Sequence, residues 1–299
     1  MYKIFMIDLD GTLLDDNKNV SNKNIEMINK IYQEKNVTFV ITTGKNINDI
    51  KYITDAIGEG INQYIIASNG AIIKDNIKGN YILEKYLSNE EVIHILDACK
   101  KYNLAGLIQT EQGPVIEDKL SAEVENAIYA ENLKEYVLEN NISNIALITP
   151  QGKEEDLILL KNELDNKFDT LDTTEICNYT HENNGKIYTS KYIDVMKRNC
   201  TKANAIKILI DYLNIKKEEV VAIGDGGNDI PMFEVCGYRV AMGNASDELK
   251  QKADYITEDN NHDGVAKALE EIFYKGEKKA WVKKKQKEKL IIMKYIKIK

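Results

Sequence analysis

Three short apolar runs open the chain: Tyr2-Lys3-Ile4-Phe5-Met6-Ile7, Val37-Thr38-Phe39-Val40-Ile41-Thr42 and Gln63-Tyr64-Ile65-Ile66-Ala67. Each is rich in β-branched or aromatic residues and too short for a buried helix, so each reads as a buried strand. Residues 21–35 set Ile25, Ile28 and Ile31 at helical spacing behind Ser21, a good N-cap. Residues 46–57 predict a second helix. Strand–helix–strand–helix–strand predicts an α/β fold with a doubly wound, Rossmann-like parallel sheet. Ala71-Ile72-Ile73 and Tyr81-Ile82-Leu83 then predict a hairpin around residues 76–80.

In such sheets the reactive groups gather beyond the carboxyl ends of the strands. The first run ends in Asp8-Leu9-Asp10-Gly11-Thr12. Side chains alternate along a strand, so positions 8 and 10 leave it in related directions, and Gly11 permits a sharp turn. Acidic residues also end strands as turn formers or helix caps, so the pair alone leaves both readings open. The second run ends in Thr43-Gly44-Lys45, which offers a hydroxyl and backbone amides at a helix start, a phosphate-binding arrangement. Lys202 falls in the first turn of a helix predicted over 201–213. A cation there opposes the helix dipole unless it neutralises an anion. A fourth buried run, Val220-Val221-Ala222-Ile223, ends in Gly224-Asp225-Gly226-Gly227-Asn228-Asp229.

Carboxylates gathered in one crevice repel one another unless a cation sits among them, and hard oxygen donors favour Mg²⁺. With a lysine, a hydroxyl and backbone amides, the set predicts a clamp for a phosphoryl group. A carboxylate beside that clamp can serve as the nucleophile.

The pattern changes near residue 84. Helices are predicted over 90–102, 121–139 and 153–167. Strand-like pieces fall at 104–110, Val115-Ile116, Ile145-Ala146-Leu147-Ile148, 168–171, 175–179 and 186–189. This predicts an α+β domain, residues 84–188, inserted into a core made of residues 1–83 and 189–275. Tyr192-Ile193-Asp194-Val195-Met196 reads as a strand returning to the core style. A short helix at 230–235, a strand at 238–242, a helical turn at 247–252, a small strand at Tyr255-Ile256 and a closing helix over 263–275 complete it.

The net charge of −8 argues against a general nucleic-acid binder. It is unevenly spread: residues 275–299 hold eleven Lys and two Glu, a net of +9, which leaves −17 on the residues before them. In residues 276–299, Trp281, Leu290, Ile291, Ile292 and Tyr295 interleave with lysines, a basic amphipathic tail. A frayed or solvated segment is the plainer reading, and contact with an anionic membrane the alternative. Cys99, Cys177, Cys200 and Cys236 are scattered singly, which predicts neither zinc nor disulfides. No apolar run reaches spanning length, and the first strand begins too near Met1 for a leader, so a cytoplasmic protein without membrane insertion is expected. His94, His181 and His262 are isolated and receive no catalytic role. Tyr129, Tyr136 and Tyr179 read as packing. Asn69 reads equally as a substrate contact or a tight turn, and Asn244 as a metal-site neighbour or a helix cap.

These motifs, taken in order, resemble the haloacid dehalogenase (HAD) superfamily of phosphotransferases, and within it the Cof-type, subclass IIB phosphatases. The resemblance is carried by Asp8-Leu9-Asp10-Gly11-Thr12-Leu13-Leu14, Thr42-Thr43-Gly44-Lys45, Ser68-Asn69-Gly70-Ala71, Thr201-Lys202, Gly224-Asp225-Gly226-Gly227-Asn228-Asp229-Ile230-Pro231-Met232, Val240-Ala241-Met242-Gly243-Asn244-Ala245 and Asp263-Gly264-Val265. It spans about residues 1–275. It implies that Asp8 is the phosphorylated nucleophile and Asp10 the general acid and then base. Asp8, Asp225 and the backbone carbonyl of Asp10 would bind Mg²⁺. Thr43, Lys202 and the amides of Leu9 and Gly44 would hold phosphoryl oxygens. Asn228 would touch phosphate or substrate, and Asp229 would orient Lys202 or a metal-bound water. The insert at 84–188 corresponds to the family's cap, which closes over the site and selects the leaving group.

Two positions depart from the family pattern. Lys45 stands where arginine is usual, which removes a bidentate donor, and Lys202-Ala203 replaces a lysine-glycine pair. Neither touches the nucleophile or the metal. The expected function is a Mg²⁺-dependent phosphatase acting on a small phosphorylated metabolite through an aspartyl-phosphate. A phosphometabolite-binding or regulatory protein without turnover, or a phosphomutase, is the alternative.

Overall fold

The computed structural model describes residues 1–58, 63–110, 112–117, 127–183 and 186–275, with the backbone alone for 179–183, 186–188 and 275. The basic tail 276–299, the start of the expected helix at 121–126, and the side chains of Tyr179 and His181 lie outside the described residues.

From the N-terminus the elements are β1 (Ile4–Ile7), α1 (Asn22–Lys35), β2 (Thr38–Thr42), α2 (Lys51–Ile57), β3 (Tyr64–Ala67), β4 (Ile72–Asp75) and β5 (Asn80–Glu84). There follow α3 (Asn89–Lys101), β6 (Ala105–Thr110), β7 (Gly113–Glu117), β8 (Ile128–Ala130), α4 (Leu133–Glu139), β9 (Leu147–Gly152), α5 (Glu154–Lys167), β10 (Leu171–Thr173), β11 (Cys177–Asn183), β12 (Lys186–Tyr192) and β13 (Val195–Lys197). The chain continues with α6 (Lys202–Tyr212), β14 (Val220–Gly224), α7 (Ile230–Val235), β15 (Tyr238–Ala241), α8 (Asp247–Lys252), β16 (Tyr255–Ile256) and α9 (Gly264–Glu270).

The fold is α/β with a parallel-sheet core, and the chain packs as two units. The first comprises the described residues of 1–39, 56–61 and 217–299, the second those of 40–55 and 62–216. The second unit therefore takes in more than the insert expected at 84–188.

In the first unit the parallel strands run in the order β16-β15-β14-β1, and β2 opens beside β1, where the Thr38 N–H donates to the Lys3 carbonyl at 2.9 Å. β1 and β14 are buried throughout, as their continuous apolar sequences require. Phe5 packs its ring 5.3 Å from Phe39 and 5.6 Å from Phe273. α1 is capped by Ser21, whose hydroxyl accepts from the Asn24 N–H. The buried Asn24 side chain in turn accepts from the Ala266 N–H of α9 at 2.8 Å, which pins the two helices together.

In the second unit β2 ends in parallel register with β3, and β3, β4 and β5 continue antiparallel as the expected hairpin. A separate sheet runs β10-β13-β9-β6-β7-β8, with β11 and β12 as a hairpin whose end joins β9. Ile95, Leu96, Leu133, Leu157 and Leu160 of α3, α4 and α5 form one apolar core with Ile108 and Ile148 of its strands.

Two expected elements differ. Within the described part of the helix predicted over 121–139, residues 127–139, the helix starts at Leu133, because Ile128–Ala130 pairs parallel with Val115–Glu117 and Asn132 then caps α4 by accepting from Lys134 N–H and Glu135 N–H. The strand predicted at 192–196 breaks: β12 ends at Tyr192, and Val195–Lys197 runs antiparallel to β9 and β10 in the second sheet rather than in a parallel one. The Asp194 backbone exchanges hydrogen bonds with Thr174 there, and both facing strands are antiparallel.

Glu91, in the first turn of α3, is 3% exposed. Its carboxylate accepts from the Ser88 N–H at 2.7 Å, from Lys197 Nζ at 2.6 Å and from the Thr170 hydroxyl. Burial pushes this carboxyl up, but the bonds from Lys197, Thr170 and Ser88 outweigh it and hold it below the ordinary glutamate range. A depressed folded value gives stability that is fully present above the unfolded value of about 4.3 and is lost as pH falls through the folded one. Glu91→Gln is therefore expected to cost about 1–3 kcal/mol at pH 7, with the gap to wild type closing in acid. Urea unfolding at pH 7 and across the acid range measures both; a gap that stays constant with pH overturns the assignment.

Candidate active site

β1 delivers Asp8 at its tip. The Asp8 N–H donates to the Ile223 carbonyl of β14 at 3.0 Å, so the two strand ends are fixed side by side. The chain then turns tightly: Thr12 N–H and Leu14 N–H both donate to the Leu9 carbonyl, at 3.2 and 2.9 Å. Gly11 makes this turn with φ +75°, and a Cβ there would stand 2.3 Å from Asp225 Oδ2. Both the left-handed backbone and the approach of that carboxylate require glycine. The buried Thr12 hydroxyl donates to Asp225 Oδ1 at 2.8 Å.

Asp229 is fully buried, and its Oδ2 accepts from the Asp225 N–H at 3.0 Å and the Gly226 N–H at 3.1 Å. It thereby folds the glycine-rich loop back on itself. Asp8, Asp225 and Asp229 each present an oxygen, and the three lie within 4.8 Å of one another. Three hard oxygen donors at this spacing fit a divalent cation.

Asp10 directs its carboxylate elsewhere: Oδ1 accepts from Lys18 Nζ at 2.8 Å. Leu9 is buried, and Asn228 is exposed at the loop tip. Asn244 is not a helix cap, since Ser246 caps α8. Its Nδ2 donates to the Gly11 carbonyl at 2.8 Å and its Oδ1 accepts from the Asn260 N–H at 3.2 Å. Asn260 donates to the Leu14 carbonyl at 3.0 Å. These two asparagines brace the loop after β1.

Sequence reasoning missed Lys18, Asn260 and the bond from Thr12 to Asp225. Thr12 stood inside the quoted motif, but its partner lies in another loop. Lys18 had no signal, since its place beside Asp10 depends on a left-handed residue, φ +63°.

The second unit gathers the other expected residues. Thr43 is buried at the end of β2, and its hydroxyl accepts from the Lys45 N–H at 3.1 Å. This loop is tied to the turn after β3: Ser68 N–H donates to the Lys45 carbonyl at 2.9 Å and Asn69 N–H to the Thr43 carbonyl at 3.0 Å. Gly70, φ +103°, lets the turn approach the start of α6, where a Cβ would stand 2.4 Å from the Thr201 carbonyl oxygen. Thr201 caps that helix, and Lys202, its first residue, is 2% exposed. A lysine this buried in a first helical turn has its charge answered within the protein or by a bound anion.

Burial pushes the thiols of Cys99, Cys200 and Cys236 up, to about 11 for Cys200 and about 12 for Cys236. All four cysteines are free, and these three are held as unreactive thiols.

Carboxylates clustered beyond the ends of parallel strands are the means by which α/β enzymes hold a divalent cation against an anionic substrate. The pattern of haloacid dehalogenase-like hydrolases matches residues 5–269. A 5-amino-6-(5-phospho-D-ribitylamino)uracil phosphatase of Bacillus subtilis is 29% identical over 267 residues, covering 89% of this chain and 94% of the relative. The crystal structure of a haloacid dehalogenase-like hydrolase from Bacteroides thetaiotaomicron is similar, with a TM-score of 0.70 at 26% identity over 91% of this chain and 100% of that one. A HAD subclass IIB sugar phosphatase shares the fold, with a TM-score of 0.69 at 24% identity over 90% and 98% of the two chains. The chain belongs to the haloacid dehalogenase-like hydrolases. Its enzyme class within them is phosphatase. Among the described residues no helix is long and apolar enough to cross a membrane.

Proposed function

We propose that the protein is a Mg²⁺-dependent phosphatase that hydrolyses small phosphomonoesters, sugar phosphates or related metabolites, through an aspartyl-phosphate on Asp8. The observation that carries this reading is the cluster of Asp8, Asp225 and Asp229 at the tips of adjacent strands. A cation held by Asp8, Asp225 and the Asp10 backbone carbonyl, with Asp229 behind them, would offset the charge of the phosphoryl oxygens.

The Asp8 carboxylate attacks phosphorus, and the bond from phosphorus to the leaving oxygen breaks. Asp10 protonates that oxygen as the alcohol departs. Asp10 then takes a proton from water as the water oxygen attacks phosphorus, which releases inorganic phosphate and restores Asp8. Lys18, paired with Asp10, holds that carboxylate in place between the two steps. Thr43, Lys202 and the amides of Leu9 and Gly44 hold the phosphoryl oxygens, and Asn228 contacts the substrate. Residues 84–188 act as the cap that selects the leaving group, on a core of 1–83 and 189–275.

The Bacillus relative's name describes a phosphorylated polyol chain, which recommends such esters alongside sugar phosphates in any substrate panel. Hydrolysis of para-nitrophenyl phosphate with Mg²⁺ and with excess chelator tests the reading. Activity that appears with Mg²⁺ and vanishes with chelator is expected; a protein that binds sugar phosphates yet turns over none overturns it.

A further inference from the structure

We infer that Asn69 is a substrate-recognition residue whose side-chain carbonyl accepts a hydrogen bond from a hydroxyl of the leaving group, and that Asp194 fixes it in that orientation. The inference rests on the phosphatase reading above and names the chemistry of the alcohol that the site takes.

Asn69 sits in the turn after β3 with φ +53°, a left-handed conformation that asparagine tolerates better than most residues. It is 7% exposed. Its Nδ2 donates to Asp194 Oδ2 at 2.8 Å, and the other Asp194 oxygen accepts from the Thr149 hydroxyl at 2.8 Å. The Asp194 backbone is held in turn by Thr174, through its hydroxyl at 2.9 Å and its N–H at 3.0 Å. Asp194 thus receives a donor on each carboxylate oxygen. Burial pushes the Asp194 carboxyl up, while the bonds from the Thr149 hydroxyl and the Asn69 amide pull it down; with both of its oxygens acting as acceptors, the amide nitrogen of Asn69 faces it and the amide oxygen faces away.

That oxygen is buried and has no hydrogen-bond partner among the described residues. It stands 3.1 Å from the place a Cβ on Gly44 would occupy, beside the loop whose amide is assigned to the phosphoryl group. Buried acceptors are satisfied in most folded proteins, and one left open beside a binding loop calls for a ligand group that donates. Phosphoryl oxygens and aryl rings have no donor to offer. A hydroxyl of a sugar or polyol does. A site that hydrogen-bonds a substrate hydroxyl also rejects analogues that lack it, since its own acceptor is then stranded.

The test compares kcat/KM for a panel of sugar and polyol phosphates with kcat/KM for para-nitrophenyl phosphate, whose leaving group has no additional hydroxyl. Asn69→Gly keeps the left-handed turn and removes the amide. It is expected to lower the ratio of the best panel substrate to para-nitrophenyl phosphate by tenfold or more, mainly through KM. Asp194→Asn lets the Asn69 amide turn over and is expected to lower the same ratio by a smaller factor. A ratio that moves less than twofold in both variants overturns the inference, because a purely structural role lowers both substrates together. A wild-type enzyme that cleaves para-nitrophenyl phosphate and no hydroxylated ester also overturns it while sparing the phosphatase reading. A wild type inert on every ester defeats the phosphatase reading itself.

Discussion

Replacing Asp8 by asparagine is expected to lower kcat/KM for para-nitrophenyl phosphate by at least about 10³-fold while the protein remains folded. The two side chains have nearly the same shape, but an amide nitrogen is not a nucleophile toward phosphorus at neutral pH. The backbone bonds of residue 8, to the Ile223 carbonyl and from the Leu13 N–H, do not involve the side chain and persist. The substitution also removes one charge from a group of three carboxylates packed within 4.8 Å, so the unfolding midpoint without metal stays level or rises. A phosphorylated chain trapped by acid quench from wild type should be absent from the variant. Undiminished turnover would remove Asp8 from the role of nucleophile, whatever else the site does.

The parallel strands were legible because they are buried on both faces. β1, β3 and β14 show no exposed position, so burial wrote itself into the sequence as unbroken apolar runs. Their loops were legible for the same reason: a carboxylate just beyond such a run has few places to be. The inserted region was read less well. Its strands are mostly antiparallel, short and mixed in polarity, and β8 is only Ile128–Ala130. A stretch that brief is decided by its parallel pairing with β7, which no local periodicity records.

Two of the contacts missed around the site share one cause. Thr12 meets Asp225 across 213 positions, and Asn260 meets Leu14 across 246. Such pairs follow from strand order, and strand order is a property of the folded sheet. Asn69 was half legible: its sequence permits a tight turn or a substrate contact. The bond to Asp194 across 125 positions is what turns its carbonyl away from that carboxylate and toward Gly44.

Mg²⁺ is expected to raise the thermal unfolding midpoint by several degrees, and Asp225→Asn to remove most of that rise. Two like charges at the spacing of the Asp8, Asp225 and Asp229 oxygens repel by about 3 kcal/mol at an effective dielectric of 20, before water and neighbouring dipoles screen them. The amides of Asp225 and Gly226 and the Thr12 hydroxyl offset part of this from within the protein. They are dipoles, however, and leave the net charge standing. A cation that binds the folded chain alone adds about 2.7 kcal/mol at one hundred times its dissociation constant. For a chain of this size that corresponds to roughly 5 °C. Asp225→Asn takes away one ligand charge and retains a carbonyl oxygen for Thr12, so its fold should survive while the Mg²⁺-dependent shift shrinks by more than half. A melting curve indifferent to Mg²⁺ in wild type, with chelator as the baseline, would separate the carboxylate cluster from metal binding. Asp229 would then keep only its part in closing the loop of Asp225 and Gly226.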